Sequence, residues 1–371
     1  MNIMLKEQMR KWSTGVLAAG LLLGGGFLPG DIGRAAAATA TPAAAQSKAV
    51  NPAIVLKADG KITKQTGLYQ DGKVWIPVTF LRDSLGMGIS YDKAENAYTI
   101  GKGYNQVRIE IVEYGIATYV NNYFLGDYNA RLVNNRLYVP VDLLSDFLGY
   151  KSDLSLATGR LNVLKHAQNA ITVTTEVYAN DREDAPIRIE YPQISGLASS
   201  EAQQTINSTI KQSVQKFADA SKEQISRKAE DERPYEFDGG YVVTYNRDGV
   251  LSLVLDQYSY TGGAHGMSYR DAYTFSLKDG KRLLLGDLFG ANPNYKKELN
   301  AKLSKQLKAE GGYLGGFTGL NTEKYFYLKD GKAVLFFQVY EYTAYASGFP
   351  EFDFTFKELL PDGSSPFAKL K

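Results

Sequence analysis

Cysteine is absent from the 371 residues, which excludes a disulfide framework and any thiolate metal site. Histidine occurs only at His166 and His265, so a multi-histidine copper or zinc centre is excluded too. A site built from carboxylates alone, such as one for calcium, stays open, although the chain has no loop of the Asp-x-Asp-x-Asn-Gly type. No metal and no cofactor are expected. Charge of one sign is also scarce, with 42 Lys and Arg against 40 Asp and Glu. Removing residues 1–45 takes away Lys6, Arg10, Lys11 and Arg34 against Glu7 and Asp31 and leaves 38 of each sign. Phosphate binding needs a net basic face, so nucleic acid is not an expected partner. Beyond the first 30 residues there is no apolar run of membrane-spanning length.

What is present begins with an export signal. Basic Lys6, Arg10 and Lys11 precede the mainly apolar stretch Val16 to Leu28, and small residues follow Arg34. This is the anatomy of a secretory signal peptide over residues 1–45, with cleavage points after Ala38, Ala40 or Ala45. Gly20, Gly24, Gly25, Gly26 and Pro29 make the apolar run a poor anchor, so a membrane is a partner only if this segment stays uncleaved. Residues 46–52 continue as a flexible linker. Secretion without cysteine fits a bacterial protein that is secreted or associated with the cell envelope. The remaining length allows two or three domains.

Two stretches repeat with an offset of 63: Asp71-Gly-Lys-Val-Trp-Ile-Pro-Val-Thr-Phe-Leu-Arg-Asp-Ser-Leu-Gly86 and Asn134-Asn-Arg-Leu-Tyr-Val-Pro-Val-Asp-Leu-Leu-Ser-Asp-Phe-Leu-Gly149. Each predicts a strand ending at proline, then a short helix with proline in its first turn and glycine after its end. Val78, Leu81 and Leu85, like Val141, Leu144 and Leu148, give each helix one apolar face. Further strands are expected at Gly88 to Tyr91, Ala97 to Ile100 and Arg160 to Leu164. Each copy is thus expected to be a small antiparallel sheet on one helix. The pattern resembles the copper amine oxidase N-terminal domain, over 53–166 and in both copies. That resemblance implies a stalk module carrying neither copper nor quinone. Thr79 and Asp142 stand where the family commonly has arginine, so that arginine's role does not carry over.

From Ile171 the composition shifts to long alternating stretches and two long helices, and the segment 167–371 is expected to be an α+β domain with an antiparallel sheet. The fold class of the whole is α+β. Strands are expected at Ile171 to Tyr178, Ile187 to Tyr191, Tyr241 to Tyr245, Val250 to Tyr260, Tyr269 to Leu277 and Ala333 to Tyr340. Ser199 to Lys228 predicts a helix with Ile206, Ile210, Val214, Phe217 and Ile225 on one face and Ser199 or Ser200 as its cap. Pro293 to Ala309 predicts the second, with Tyr295, Leu299, Leu303 and Leu307 on one stripe.

The sharpest local signal is Tyr258-Ser-Tyr-Thr-Gly-Gly-Ala-His-Gly266. Gly262, Gly263 and Gly266 supply positive-φ positions for an exposed bend with His265 at its tip. Two roles are open to His265. It titrates near neutrality and could serve as a base or ligand contact, or it could donate a hydrogen bond that locks the turn. No nucleophile or orienting acid stands at recognisable spacing, and no nucleophile elbow is present, so the locking role is preferred. The 26 tyrosines are concentrated late in the chain, where they serve a half-buried sheet or a surface that stacks on sugars or protein. The loop Glu341 to Pro350 could form one rim with the Gly262 to Gly266 bend. Candidate binding residues are Tyr258, Tyr260, Gly262, Gly263, His265, Tyr342 and Tyr345.

Tyr-Thr-Gly-Gly-Ala-His-Gly266, with Lys281-Arg-Leu-Leu-Leu-Gly-Asp-Leu-Phe289 beyond it, resembles the domain of unknown function found in a lysozyme-sensing anti-sigma factor and beside a peptidoglycan deacetylase domain. Ile171 to Asp238 would be the companion domain that precedes it. The resemblance implies a non-catalytic envelope protein that recognises wall glycan or an extracellular protein such as lysozyme. An envelope hydrolase or deacetylase using His265, or a pure spacer, are the alternatives. A deacetylase would need a metal cluster that two histidines far apart in sequence do not supply.

Overall fold

The computed structural model describes residues 53–113, 115–361 and 364–368. The expected export signal and linker lie outside the described residues. Twenty strands and six helices follow in order among those residues. The first half holds β1 Ala53–Ala58, β2 Lys61–Gln70, β3 Lys73–Pro77, α1 Val78–Asp83, β4 Ile89–Asp92, β5 Ala97–Ile100, β6 Val107–Val112, β7 Gly115–Val120, β8 Tyr123–Phe124, β9 Arg131–Val133, β10 Arg136–Pro140, α2 Asp142–Phe147, β11 Tyr150–Ser155 and β12 Arg160–Lys165. The second holds β13 Thr172–Asn180, β14 Ile187–Ser195, α3 Ser200–Ser226, β15 Glu236–Arg247, β16 Val250–Tyr260, β17 Met267–Ser276, α4 Leu285–Phe289, α5 Tyr295–Ala309, β18 Phe326–Lys329, β19 Lys332–Phe336, β20 Glu351–Thr355 and α6 Phe356–Leu359.

The α+β class stands, with several small sheets and two long helices. The two repeated segments carry the same order of strand, proline and short helix, but they do not form separate sheets. β3 and β10 pair antiparallel, Tyr138 opposite Pro77, Val139 opposite Ile76 and Pro140 opposite Trp75. Ile76 and Val139 are equivalent under the offset of 63, so the two stretches meet about a local two-fold at that pair. One seven-stranded sheet, β11-β12-β1-β2-β3-β10-β9, results, and its β1–β12 pair is parallel. The hairpin after α1 goes instead to a five-stranded sheet, β4-β5-β6-β7-β8. Residues 101–133, which carry no repeat, supply the strands that make this second sheet possible.

The prolines terminate strands as expected, but Pro77 is the N-cap of α1 rather than a residue of its first turn. Gly86 and Gly149 follow the helices at φ +69° and +73°, a region that other residues enter only with strain.

In the second half, β13-β14-β15-β16-β17 form a sheet whose β14–β15 pair is parallel, and β18-β19-β20 form another. α3 starts at Ser199, whose hydroxyl accepts from the Ala202 N–H at 3.1 Å. Its Ile206, Ile210, Val214 and Ile225 are buried among Phe237, Tyr241, Leu253 and Tyr273. α5 buries Leu299, Leu303 and Leu307 against Phe326, Leu335, Phe352 and Phe354. The strand expected to run through Tyr340 stops at Phe336, because the chain turns at 338–341.

The first half and the central sheet share a core. Val242, Val254, Ala272, Tyr327, Val334 and Phe336 belong to the same buried cluster as Phe80, Val107, Val120 and Phe147. The turn between β7 and β8 rests on Gly240, where a Cβ would stand 2.4 Å from the Asn122 carbonyl carbon.

Candidate binding rim

β16 and β17 pair from Val250 opposite Ser276 to Ser259 opposite Met267. Alternation puts Asp256, Tyr258, Ser268 and Arg270 on one face. The bend 261–266 closes this hairpin. Only Gly262 of its three glycines has a positive φ, +84°. Gly266 is required for space rather than for φ, since a Cβ would stand 2.3 Å from Tyr258 Cζ. Gly263 meets only the His265 carbonyl oxygen, at 3.7 Å, and imposes no such constraint. Burial pushes the Tyr258 hydroxyl up to about 12, with help from the Glu236 carboxylate.

The bend is joined to the late loop through one carbonyl. His265 Nδ1 lies 2.8 Å from the Gly266 oxygen, and the Tyr345 hydroxyl donates to the same oxygen at 2.9 Å. The two rings stack, with centroids 4.0 Å apart and 26° between planes. Tyr340 continues the ladder, 5.5 Å from Tyr345. It sits at the third position of a turn closed by the Glu341 N–H donating to Gln338 O at 3.0 Å, with φ +67°. Gly or Asn is usual at that position of a type II turn. The turn is anchored to β17 by the Gln338 amide: Nε2 donates to Arg270 O at 2.7 Å, and the Arg270 N–H donates to Oε1 at 3.1 Å.

A third loop completes the rim. Ala344 N–H donates to Gly312 O and Leu314 N–H to Tyr342 O, both at 2.8 Å. A Cβ on Gly312 would meet Ser347 Oγ at 2.5 Å.

Of the candidate residues, Tyr258, Gly262, Gly263, His265 and Tyr345 are gathered at this rim. Tyr260 ends β16 opposite Glu236 and is buried. Tyr342 turns inward, edge-on to Phe337 at 4.8 Å and Phe317 at 5.3 Å, so it is a packing residue. Tyr340 is the rim residue that sequence reasoning passed over. Its signal is a positive φ at a turn, which residue type alone does not announce. His166 belongs to another cluster, beside Arg247 and Asp330.

Behind the rim lies a buried ionic knot. Arg270 makes two 2.8 Å bonds to the Asp256 carboxylate, donates to the Tyr123 hydroxyl at 2.7 Å, and pairs with Glu351. The Tyr327 hydroxyl donates to Glu351 at 2.9 Å. Burial works against the Arg270 charge, but Asp256, Tyr123 and Glu351 hold it ionised well above its usual range. Burial raises both carboxyls of the neighbouring pair Glu236 and Asp238 above the usual carboxylate range.

His265 has the Gly266 carbonyl as its hydrogen-bond partner and no carboxylate to orient it. Among the described residues, no group of three or more His, Asp and Glu could hold a metal ion. Neither the cleft lined by Tyr104, Asp146 and Arg247 nor the cavity lined by Tyr245, Asp330 and Phe367 includes a rim residue. The rim consists of aromatic side chains and backbone polar groups.

Comparison with protein families gives three matches in sequence. The copper amine oxidase N-terminal domain matches residues 57–163, the family described as deacetylase PdaC matches 178–268, and a protein family of unknown function, DUF3298, matches 286–357. No curated protein matches the chain. Among solved structures, a DUF3298 family member from Bacteroides fragilis is similar at 18% identity and a TM-score of 0.41, covering 54% of this chain and 98% of its own. A DUF3298 family protein from Pseudomonas aeruginosa is similar at 14% identity and a TM-score of 0.36, covering 52% and 98%. The matched families point to a cell-envelope-associated protein. No described helix is long and apolar enough to cross a membrane.

Proposed function

We propose that this chain is an exported, non-catalytic bacterial envelope protein that recognises wall glycan or an extracellular protein of the lysozyme kind. In this reading segment 53–166 is a stalk that supports segment 167–371, and the rim of 167–371 is the recognition surface. The observation that carries it is the commitment of His265. Its Nδ1 is engaged by the Gly266 carbonyl and one ring face by Tyr345, and among the described residues no carboxylate pairs with its Nε2, which favours a rigid aromatic surface over an acid-paired base. The PdaC match brings in deacetylation as a competing idea, and the described residues offer it no metal-ligand cluster.

The test is co-sedimentation of the purified protein with cell-wall sacculi and capture of lysozyme, run beside turnover of acetylated muropeptides. Retention of either ligand without turnover is expected. Turnover abolished by His265→Ala would replace this reading with an enzymatic one, and failure to retain either ligand would end it.

A further inference from the structure

We propose that the Tyr340–Tyr345–His265 ladder binds a neutral pyranose polysaccharide by ring stacking, with Tyr340 as the residue that touches the sugar. This rests on the recognition reading above and assigns it a ligand class and a contact residue.

The first support is charge. The loops 261–266, 311–322 and 342–350 contain no Asp, Glu, Lys or Arg, in a chain where 22% of residues are charged, and the one charge on the turn that carries Tyr340 is Glu341, whose carboxylate accepts from the Gln338 N–H and the Asn321 amide. A surface with almost no charge of its own gives a charged ligand little to attract it, so it suits an uncharged one. What the loops offer is aromatic faces, the hydroxyls of Thr261 and Ser347, and backbone groups. A pyranose presents the complement: an apolar C–H face and a ring of equatorial hydroxyls. An anionic wall polymer would find no cationic side chain on these loops.

The second support is Tyr340 itself. The residue is 46% exposed, so burial does not explain it. Its φ of +67° is a conformation that glycine or asparagine adopts freely and a bulky aromatic does not. The backbone around it is nevertheless held on all sides, by the 338–341 turn bond and by Gln338 on Arg270. A strained residue held in place by its surroundings is typical of a functional contact. Tyr345 lies beside it at 5.5 Å, and His265 packs on Tyr345, so the ring beneath any ligand is fixed before binding.

The experiment uses the purified protein with neutral chitooligosaccharide, an anionic glycerol-phosphate polymer and lysozyme as three separate probes in calorimetric titrations. Chitooligosaccharide is expected to bind and the anionic polymer not. Tyr340→Gly, with Tyr340→Asn as a second variant, is expected to weaken sugar binding about tenfold, the worth of one aromatic stack. Both should leave the unfolding midpoint equal or higher, because the strain is relieved. Tyr340→Phe should keep sugar affinity within about twofold, since the face is retained.

Sugar binding undiminished in both Tyr340 variants would overturn the ladder and leave envelope recognition standing. Binding of lysozyme or the anionic polymer but of no neutral sugar would overturn the ligand class alone. Binding of none of the three probes, with no retention on sacculi, would overturn the recognition reading as well. A lowered midpoint in Tyr340→Gly and Tyr340→Asn would assign Tyr340 to folding instead.

Discussion

Gly240→Ala tests whether the first half of the chain is seated on the central sheet. The added methyl would stand 2.4 Å from the Asn122 carbonyl carbon, 2.5 Å from its oxygen and 2.7 Å from the Tyr123 nitrogen. Carbon contacts are comfortable at about 3.5 Å, so the turn must retreat by roughly 1 Å. All three atoms are backbone, and the turn is pinned by Val120 opposite Tyr123 and Tyr119 opposite Phe124, so no side-chain rotation absorbs the clash. Retreat stretches the 3.2 Å bond from the Tyr241 N–H to Asn121 O and the 2.7 Å bond from Arg270 to the Tyr123 hydroxyl. Overpacking costs about 1–3 kcal/mol and a lost bond to a charged group about 1.5–3 kcal/mol, so a total near 3–5 kcal/mol is expected. Urea unfolding followed by tyrosine fluorescence reads this as a lower midpoint. Gly311→Ala is the control: its Cβ meets nothing within 4 Å, so it should be neutral or slightly stabilising. Equal midpoints for the two variants would refute the seating of this turn on β15.

Further outcomes are expected elsewhere. Asp146→Asn leaves the Lys329 ammonium, 3.3 Å from that carboxylate and enclosed by Tyr128, Phe147 and Tyr327, without its counter-charge, at about 3 kcal/mol in chemical denaturation. Replacing both by Leu and Met should restore much of that loss. Burial holds the neighbouring carboxyls of Glu236 and Asp238 protonated well above the usual carboxylate range, so the pair's contribution to stability is full below that range and is lost as pH rises from it through the raised folded values. Denaturation across that window should show stability falling by up to about 1.4 kcal/mol per pH unit, and Glu236→Gln should flatten the profile. Ser199→Ala should cost about 1 kcal/mol in thermal unfolding through the lost cap on Ala202.

How much of this was legible in the sequence depended on whether the signal was local. The spacing of Ile206, Ile210 and Val214 and of Leu299, Leu303 and Leu307 placed both long helices, because one apolar stripe per helix is a property of the segment itself. The bend was legible from its glycines but not the reason for each: positive φ was expected at all three and holds only at Gly262, while Gly266 is required for space against Tyr258, which only the tertiary structure shows. Tyr342 and Tyr345 could not be told apart. They are three residues apart in an irregular loop, and only tertiary packing decides that one faces Phe337 and the other Gly266. Sheet partnership failed in the repeated region for the same reason. Alternation marks a strand but not its neighbour, and the sheet forms by β3 meeting β10, across the 58 residues from 78 to 135.

The cut near Ala167 separates two sequence families and not two cores, and this yields a last expectation. Val242, Val254, Ala272, Tyr327, Val334 and Phe336 lie beyond the cut, yet share a cluster with residues before it. If segment 53–166 supplies half of the cover of the five larger ones, each contributes roughly 1 kcal/mol through that segment, taking about 2 kcal/mol for full burial, and the Ala272 methyl adds less. The sum, about 5 kcal/mol, matches the lower end of an ordinary net stability of about 5–15 kcal/mol. The polar groups add to the loss: Arg270 loses the Tyr123 hydroxyl, and Lys329 loses both Asp146 and the Tyr128 hydroxyl it meets at 2.8 Å. A fragment of residues 167–371 is therefore expected to unfold without a cooperative transition, or to form a species with exposed apolar surface that binds a hydrophobic dye. Calorimetry of the fragment beside the whole chain decides it. A fragment with the same sharp transition and midpoint as the whole chain would mean that the shared core contributes little. A broad one would mean that the segment resembling a stalk is structural to the rim and holds its loops at a fixed orientation.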